Sequence, residues 1–322
     1  MTRLHVQGAA GYAAAELLRL MDGHPFAELG VLESQSHAGE PVASHFAALP
    51  RMERRFDAPG TLLERVAAGD CVVLAGAGGT ARELVAALRA KRARIIDLSA
   101  DFRSDAKAVY GFPERYRAEI AAAQLVANPG CYPTATLLAV LPLSGIPGLL
   151  QIIVDAKSGS TGAGRTPAVG SLFAEVSGEI RAYGLSGHRH EPEIGRQLDA
   201  AGIVAPFVFT PHVVPIARGM LADVYCLFAD APAMEDVRAR FARAYEGSSF
   251  VRVVAADTAP RILSVVGTND AQIHLSAQGN VVRAICAIDN LGKGAAGQAV
   301  QNFNIMYGYP EETALDARRL VA

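Results

Sequence analysis

The chain has 322 residues, with 30 Lys and Arg against 32 Asp and Glu for a formal net charge of -2, and it is 51% hydrophobic and 19% charged. At about 150 residues per domain the length points to two domains, and the balanced charge argues against a nucleic-acid partner gripped through its phosphates. No apolar run reaches the roughly 18 residues of a membrane span, and Met1 to Gln7 shows no basic stretch leading into an apolar one, so no membrane partner and a cytoplasmic location are expected.

Residues 4–7 read as a short strand, Gly8-Ala-Ala-Gly11 as a turn, Ala13 to Met21 as a helix closed near Gly23 and Pro25, and 29–34 as a second strand. A glycine turn between strand and helix presents backbone N–H groups and the positive helix end to a pyrophosphate. Gly8, Ala10, Gly11 and Tyr12 are therefore cofactor-binding candidates. Cys71 to Leu74, the glycine-rich AGAGGT, a helix over Ala81 to Ala90 and a strand over Arg94 to Leu98 continue the alternation. Such alternation implies a parallel sheet covered on both faces, so the chain up to about Asn128 is expected to form a doubly wound α/β nucleotide domain.

Beyond Leu143 the pattern changes. Gln151 to Ala156, Phe207 to Thr210, Ala222 to Phe228, Val251 to Val254, Gln272 to Leu275 and Val281 to Ile288 are short β-rich runs, with helices over Glu193 to Ala201 and Met234 to Tyr245 among them. Successive strands with few helices predict an α+β unit on a mixed sheet, helices on one face. A last helix, Gly294 to Met306, is placed to return to the first domain.

The cysteines stand far apart, at 71, 131, 226 and 286, with no Cys-x-x-Cys pair, so neither a disulfide framework nor a zinc knuckle is expected. Cys71, Cys226 and Cys286 lie in apolar runs and read as core. Cys131 differs, because Asn128-Pro-Gly-Cys-Tyr-Pro-Thr134 precedes an apolar stretch and Pro133 suits a first helical turn. A thiol at a helix N-terminus is shifted toward the nucleophilic thiolate.

A thiol nucleophile needs a base. His188 and His190 stand in GHRHEPEI, with Pro192 marking another helix start and Glu193 three residues after His190, near enough to orient an imidazole. His212 in TPHVVP is a third candidate, and spacing does not choose among them. The His-x-His pair lacks further ligands at metal spacing, so no metal is expected. Lys157-Ser-Gly-Ser-Thr-Gly-Ala-Gly-Arg165 follows a strand; its small residues admit an anion or a planar ring, with Lys157 and Arg165 adding charge. Arg103 in DLSADFR is placed to clamp a carboxylate.

Together GAAGYAAAELLRLM (8–21), DLSADFR (97–103), YGFPE (110–114), NPGCYPTA (128–135), DAKSGSTGAGR (155–165), GHRHEPEI (187–194), FTPHVVPIARGM (209–220) and DNLGKGAAGQAVQN (289–302) resemble, in order, the N-acetyl-gamma-glutamyl-phosphate reductase family within the aspartate-semialdehyde dehydrogenase-like group. The resemblance implies a Rossmann NADP-binding domain over 1–130 with a C-terminal helix at 292–322, and a catalytic and dimerisation domain over 131–291. It implies NADPH-dependent reductive dephosphorylation of an acyl phosphate to a semialdehyde with release of inorganic phosphate, in a homodimer or homotetramer. Carried over by motif, Cys131 is the nucleophile, His190 the acid/base and Glu193 its orienting partner. Ser158, Gly159 and Asn290 fall where relatives hold the nicotinamide, and Arg103 and Arg218 are substrate-anion candidates.

Three departures stand out. Ala14 replaces the family's third glycine. Ser34-Gln35-Ser36, at the ribose position, stands where relatives often carry Ser-Arg-Ser, and the preceding Glu33 suits a free 2′-hydroxyl, which leaves NAD as an alternative cofactor. Gly76-Ala-Gly-Gly79 replaces a segment that commonly reads Leu-Pro-His-Gly. Rival functions are the paralogous aminoadipyl-phosphate reductase of lysine biosynthesis and a non-catalytic nucleotide-binding redox sensor.

Overall fold

Leu4, His5 and Val6 are all buried, as are Cys71, Val72, Val73 and Leu74, the pattern of strands covered on both faces. In the computed structural model, which describes residues 1–315, the chain divides into two compact units. Among the described residues the first comprises Met1–Pro129 and 295–315, and the second is Gly130–Gly294.

The first unit holds β1 (Thr2–Gln7), β2 (Ala27–Glu33), β3 (Cys71–Leu74), β4 (Arg94–Asp97), β5 (Val109–Tyr110) and β6 (Leu125–Ala127), in the order β2-β1-β3-β4-β6-β5 with every pair parallel. This is the doubly wound sheet that the alternation predicts. The two strands of this unit missing from the sequence reading, β5 and β6, are only two and three residues long. They are too short to show a period. The helix between them, Pro113–Ala122, starts on a proline of the YGFPE segment.

The second unit holds β7 (Leu149–Ser158), β8 (Arg181–Ala182), β9 (Phe207–Val213), β10 (Met220–Phe228), β11 (Val251–Val253), β12 (Ala271–Gln278) and β13 (Val281–Ile288), ordered β11-β12-β13-β10-β7-β9-β8. The sheet is mixed, with β7/β9 and β11/β12 parallel and the other pairs antiparallel. Along β10 burial alternates residue by residue, so one face packs and the other is open. Helix Cys131–Val140 covers the packed face against β10 and β13, and Tyr132 to Val140 are all buried. A helix apolar on every side is expected of one sunk in a core.

The closing helix runs over Gly297–Tyr307, in the first unit, and packs against Tyr12–Met21. Its expected first turn, from Gly294, is instead part of a π-helical turn, Gly292–Ala296. Residues 316–322 of the expected C-terminal element lie outside the described residues.

The turn after β1 is built on a close approach. Gly8 has φ +76°, and a Cβ there would lie 2.5 Å from the Gly76 nitrogen. Gly8→Ala is expected to destabilise the protein by at least about 1–2 kcal/mol, from the left-handed backbone alone, in a urea unfolding curve. An unchanged midpoint would refute this packing.

Candidate active site

Cys131 is the first residue of its helix, with Gly130 as an extended N-cap. The first-turn N–H groups lack intrahelical partners and give that end positive character, so a thiolate is favoured there. Cys131 is partly exposed, whereas Cys71, Cys226 and Cys286 are fully buried. Burial pushes the Cys71 thiol above its ordinary value and the Cys226 thiol up to about 12. Gly294 makes room for Cys131: a Cβ there would lie 2.7 Å from the Cys131 Cβ.

Glu193 is 3% exposed, and its Oε1 accepts the Gly130 N–H at 2.9 Å. This bond ties helix Glu191–Ala200 to the start of the Cys131 helix. His190 is the N-cap of Glu191–Ala200, itself 3% exposed, and its N–H donates to Nδ1 of His188 at 3.1 Å. His188 therefore carries its ring proton on Nε2 when neutral. Burial first, then the charge of Arg189, lowers the His188 pKa, while Glu191 opposes the shift. The unfolded imidazole binds its proton at higher pH than the native one, so stability declines as pH falls through about 6.5 toward the native value.

Cys131, Tyr132, His188 and His190 line one cavity of about 320 Å³ in the second unit. Tyr132 packs edge-on against both imidazoles, with ring centroids 5.8 and 5.9 Å away. Its hydroxyl donates to the His212 carbonyl at 3.0 Å and accepts from Tyr183 at 3.2 Å. Ser158 and Gly159, at the end of β7, form another part of the wall. Asn290 is not in the wall but holds it: it accepts the Gly219 N–H at 2.7 Å and donates to Thr161 at 3.0 Å.

Several cations and bases stand elsewhere than the sequence reading puts them. Lys157 does not charge the glycine loop, because its ammonium lies 2.7 Å from both Asp155 and Asp223. His212 is paired with Asp155 at 3.1 Å and does not line the cavity. Arg218 is paired with Asp289, 2.6 Å away and fully buried. Arg103, in the first unit, donates to the carbonyls of Asn128 and Leu98 at 2.9 and 2.8 Å. The guanidiniums in the cavity wall are Arg181 and Arg189, which the sequence reading missed, as it did Tyr183 and Gly294. The Arg in GHRHEPEI was in view there, yet only the fold shows which way it faces.

In the first unit, Gly8 and Ala9 donate to the Glu33 carbonyl at 3.0 and 2.9 Å, which lashes the glycine turn to the end of β2. The close Gly8–Gly76 approach and the N-terminus of helix Tyr12–Met21, entered from an extended Gly11, fit a dinucleotide pyrophosphate. Tyr12 opens that helix, Gly11 is its N-cap and the Ala10 carbonyl meets His45 at 3.3 Å. Ala14 is fully buried, which the small third position requires. The Glu33 carboxylate is not turned to a ribose: it accepts the Gly60 and Leu62 N–H groups, each at 3.0 Å. Ser34 is buried and accepts the His37 N–H at 3.3 Å, whereas Gln35 and Ser36 are exposed.

Residues 3–123 match a family model described as "Semialdehyde dehydrogenase, NAD binding domain", and residues 131–290 one described as "Semialdehyde dehydrogenase, dimerisation domain". The chain is 40% identical to the N-acetyl-gamma-glutamyl-phosphate reductase of Marinobacter nauticus, over all of both chains, and 41% identical to that of Pseudomonas entomophila, over 98% of each. The chain belongs to the N-acetyl-gamma-glutamyl-phosphate reductase family.

Solved structures share the fold. Aspartate semialdehyde dehydrogenase II from Vibrio cholerae, complexed with ASA, superposes with a TM-score of 0.75 at 16% identity, over 96% of this chain and 98% of that one. The Candida albicans enzyme, solved with NADP, gives 0.75 at 14% identity over 95% and 99%. As a member of this reductase family the protein is an oxidoreductase with a nucleotide-binding domain.

Two outcomes follow from this geometry. Brief iodoacetamide treatment of the folded protein, read by peptide mass spectrometry, is expected to label Cys131 and spare the other three cysteines. Arg218→Ala, which strands a buried carboxylate, is expected to cost about 3 kcal/mol in denaturant unfolding; unchanged stability with only KM raised would return Arg218 to the role of substrate contact.

Proposed function

We propose that the protein catalyses NADPH-dependent reductive dephosphorylation of N-acetyl-gamma-glutamyl phosphate to N-acetylglutamate 5-semialdehyde, a step of arginine biosynthesis, in the cytoplasm. One observation carries the mechanism: a partly exposed cysteine at a helix N-terminus shares a cavity with two histidines held by a second helix start. In the forward reaction the Cys131 thiolate attacks the acyl carbon, a C–S bond forms, and the C–O bond to phosphate breaks with its electron pair leaving on inorganic phosphate. A thioester on Cys131 results. The nicotinamide, when bound, supplies the hydride that reduces this acyl group. His190 protonates the resulting oxyanion, then takes the hydroxyl proton back as the C–S bond breaks, releasing semialdehyde and thiolate. Such proton transfer is worth roughly 100- to 10,000-fold. The cavity wall shields the thioester from hydrolysis, and Arg181 and Arg189 complement the anionic substrate.

Glu193 acts through the Gly130 amide and the helix whose cap is His190, so it is a positioning residue in this reading. The open face of the seven-stranded sheet, where Ile153 and Val208 are 43% and 49% exposed, supports assembly as a homodimer or homotetramer.

Cys131→Ala is expected to lower kcat by more than about 1,000-fold, as loss of a nucleophile does. Without NADPH, mixing wild-type protein with the acyl phosphate should give a protein mass increased by the acyl group, absent in Cys131→Ala. Near wild-type turnover by Cys131→Ala would end the covalent mechanism. His190→Asn is expected to lose roughly 100-fold or more in kcat, and His188→Asn less; the reverse order would move the acid/base role to His188.

A further inference from the structure

The end of β2 is where a Rossmann domain distinguishes a free ribose 2′-hydroxyl, taken by an acid, from a 2′-phosphate, taken by a cation. Here neither device is in place. The Glu33 carboxylate is buried and spent on the Gly60 and Leu62 amides. Residues 34–40, Ser-Gln-Ser-His-Ala-Gly-Glu, contain no Lys or Arg. Of the cations that support the loop, Arg54 is bound to the Leu29 and Gly30 carbonyls and Arg55 to the Gly39 carbonyl, and the ionisable groups beside the turn are imidazoles. The rings of His37 and His45 pack at a tilt of 51° with centroids 4.1 Å apart, and His45 Nε2 lies 3.3 Å from the Ala10 carbonyl in the glycine turn itself.

We propose that His37 and His45 read the 2′-phosphate, so that the preference of this protein for NADP over NAD is set by imidazole protonation and weakens as pH rises. The proposal rests on the reading that the first unit binds a nicotinamide dinucleotide. The loop is held in place by the Gly39 N–H on the Phe56 carbonyl at 2.8 Å, the Phe56 N–H on the Glu40 carbonyl at 3.0 Å, and contacts of both imidazoles with the Phe56 ring. The groups facing His37 are Glu40, whose carboxylate meets Nδ1 at 3.0 Å, and His45. Arg55 reaches the loop through the Gly39 carbonyl at 2.7 Å, and Asp57 turns its carboxylate to the Leu32 N–H at 2.8 Å. With Nδ1 on Glu40, the His37 Nε2–H is the donor left for a phosphate oxygen, a charge-assisted bond when the ring is protonated.

The test is isothermal titration of the full chain with NADP and with NAD at about pH 6 and about pH 8, on either side of the ordinary imidazole value. The ratio of the NAD to the NADP dissociation constant is expected to fall roughly tenfold or more across that range, as one charge-assisted bond to phosphate is lost. The paired His37→Gln, His45→Gln variant should show a small ratio that no longer falls, and His37→Arg a large ratio at both pH values. Saturable NAD binding by each variant confirms that it is folded. A pH-independent ratio in the wild type, or an undiminished fall in the double variant, overturns the proposal. If neither nucleotide binds the wild type, the nucleotide reading itself fails, an outcome distinct from both.

Discussion

The Gly130 N–H donates to a buried carboxylate, Glu193, and this one bond joins the starts of two helices that are 60 residues apart in sequence. Everything at the site follows from that junction. Cys131 opens one helix and His190 caps the other, so fixing the two helix starts fixes both side chains along one cavity wall. A carboxylate 3% exposed is costly to bury, and what offsets the cost here includes a backbone amide that the helix start would otherwise leave unsatisfied. Gly294 completes the arrangement by leaving the space beside Cys131 that any side chain would fill.

Charge is distributed with a similar economy of position. Of the basic groups that motif reading brings to the chemistry, Lys157, Arg218 and His212 each have an acidic partner within the second unit, and Arg103 grips backbone carbonyls. The pairs made by Lys157 and His212 join β7 to β10 and to β9 within the sheet. The cavity keeps Arg181 and Arg189 instead, and the charge of Arg189, after burial, holds His188 below the ordinary imidazole range. A neutral His188 accepts the His190 N–H and so supports the neighbouring ring.

At the cofactor end the same logic separates backbone from side chain. The Glu33 carbonyl lashes the glycine turn to β2, a role any residue can fill, while its carboxylate caps the amides of Gly60 and Leu62. A residue whose sequence position marks it as a ribose ligand is thus a structural cap.

Much of this was legible in the chain. The alternation of apolar runs and helical stretches predicts the parallel sheet, and the change of pattern after Leu143 predicts the mixed one, because periodicity reports which faces are buried. Pro133 and Pro192 mark two helix starts, since a proline is harmless where an N–H has no partner, and the isolation of Cys131 in NPGCYP singles it out from three core cysteines. These signals are local. What only the tertiary structure decided is which distant groups meet: that Glu193 holds Gly130, that Arg218 belongs to Asp289, that His212 belongs to Asp155, and that Arg189 turns into the cavity. Ion pairs and cavity walls join residues tens of positions apart, and the cost of leaving a charge or an amide unpaired in the core, which selects those partners, is a property of the folded interior and leaves no spacing in the sequence.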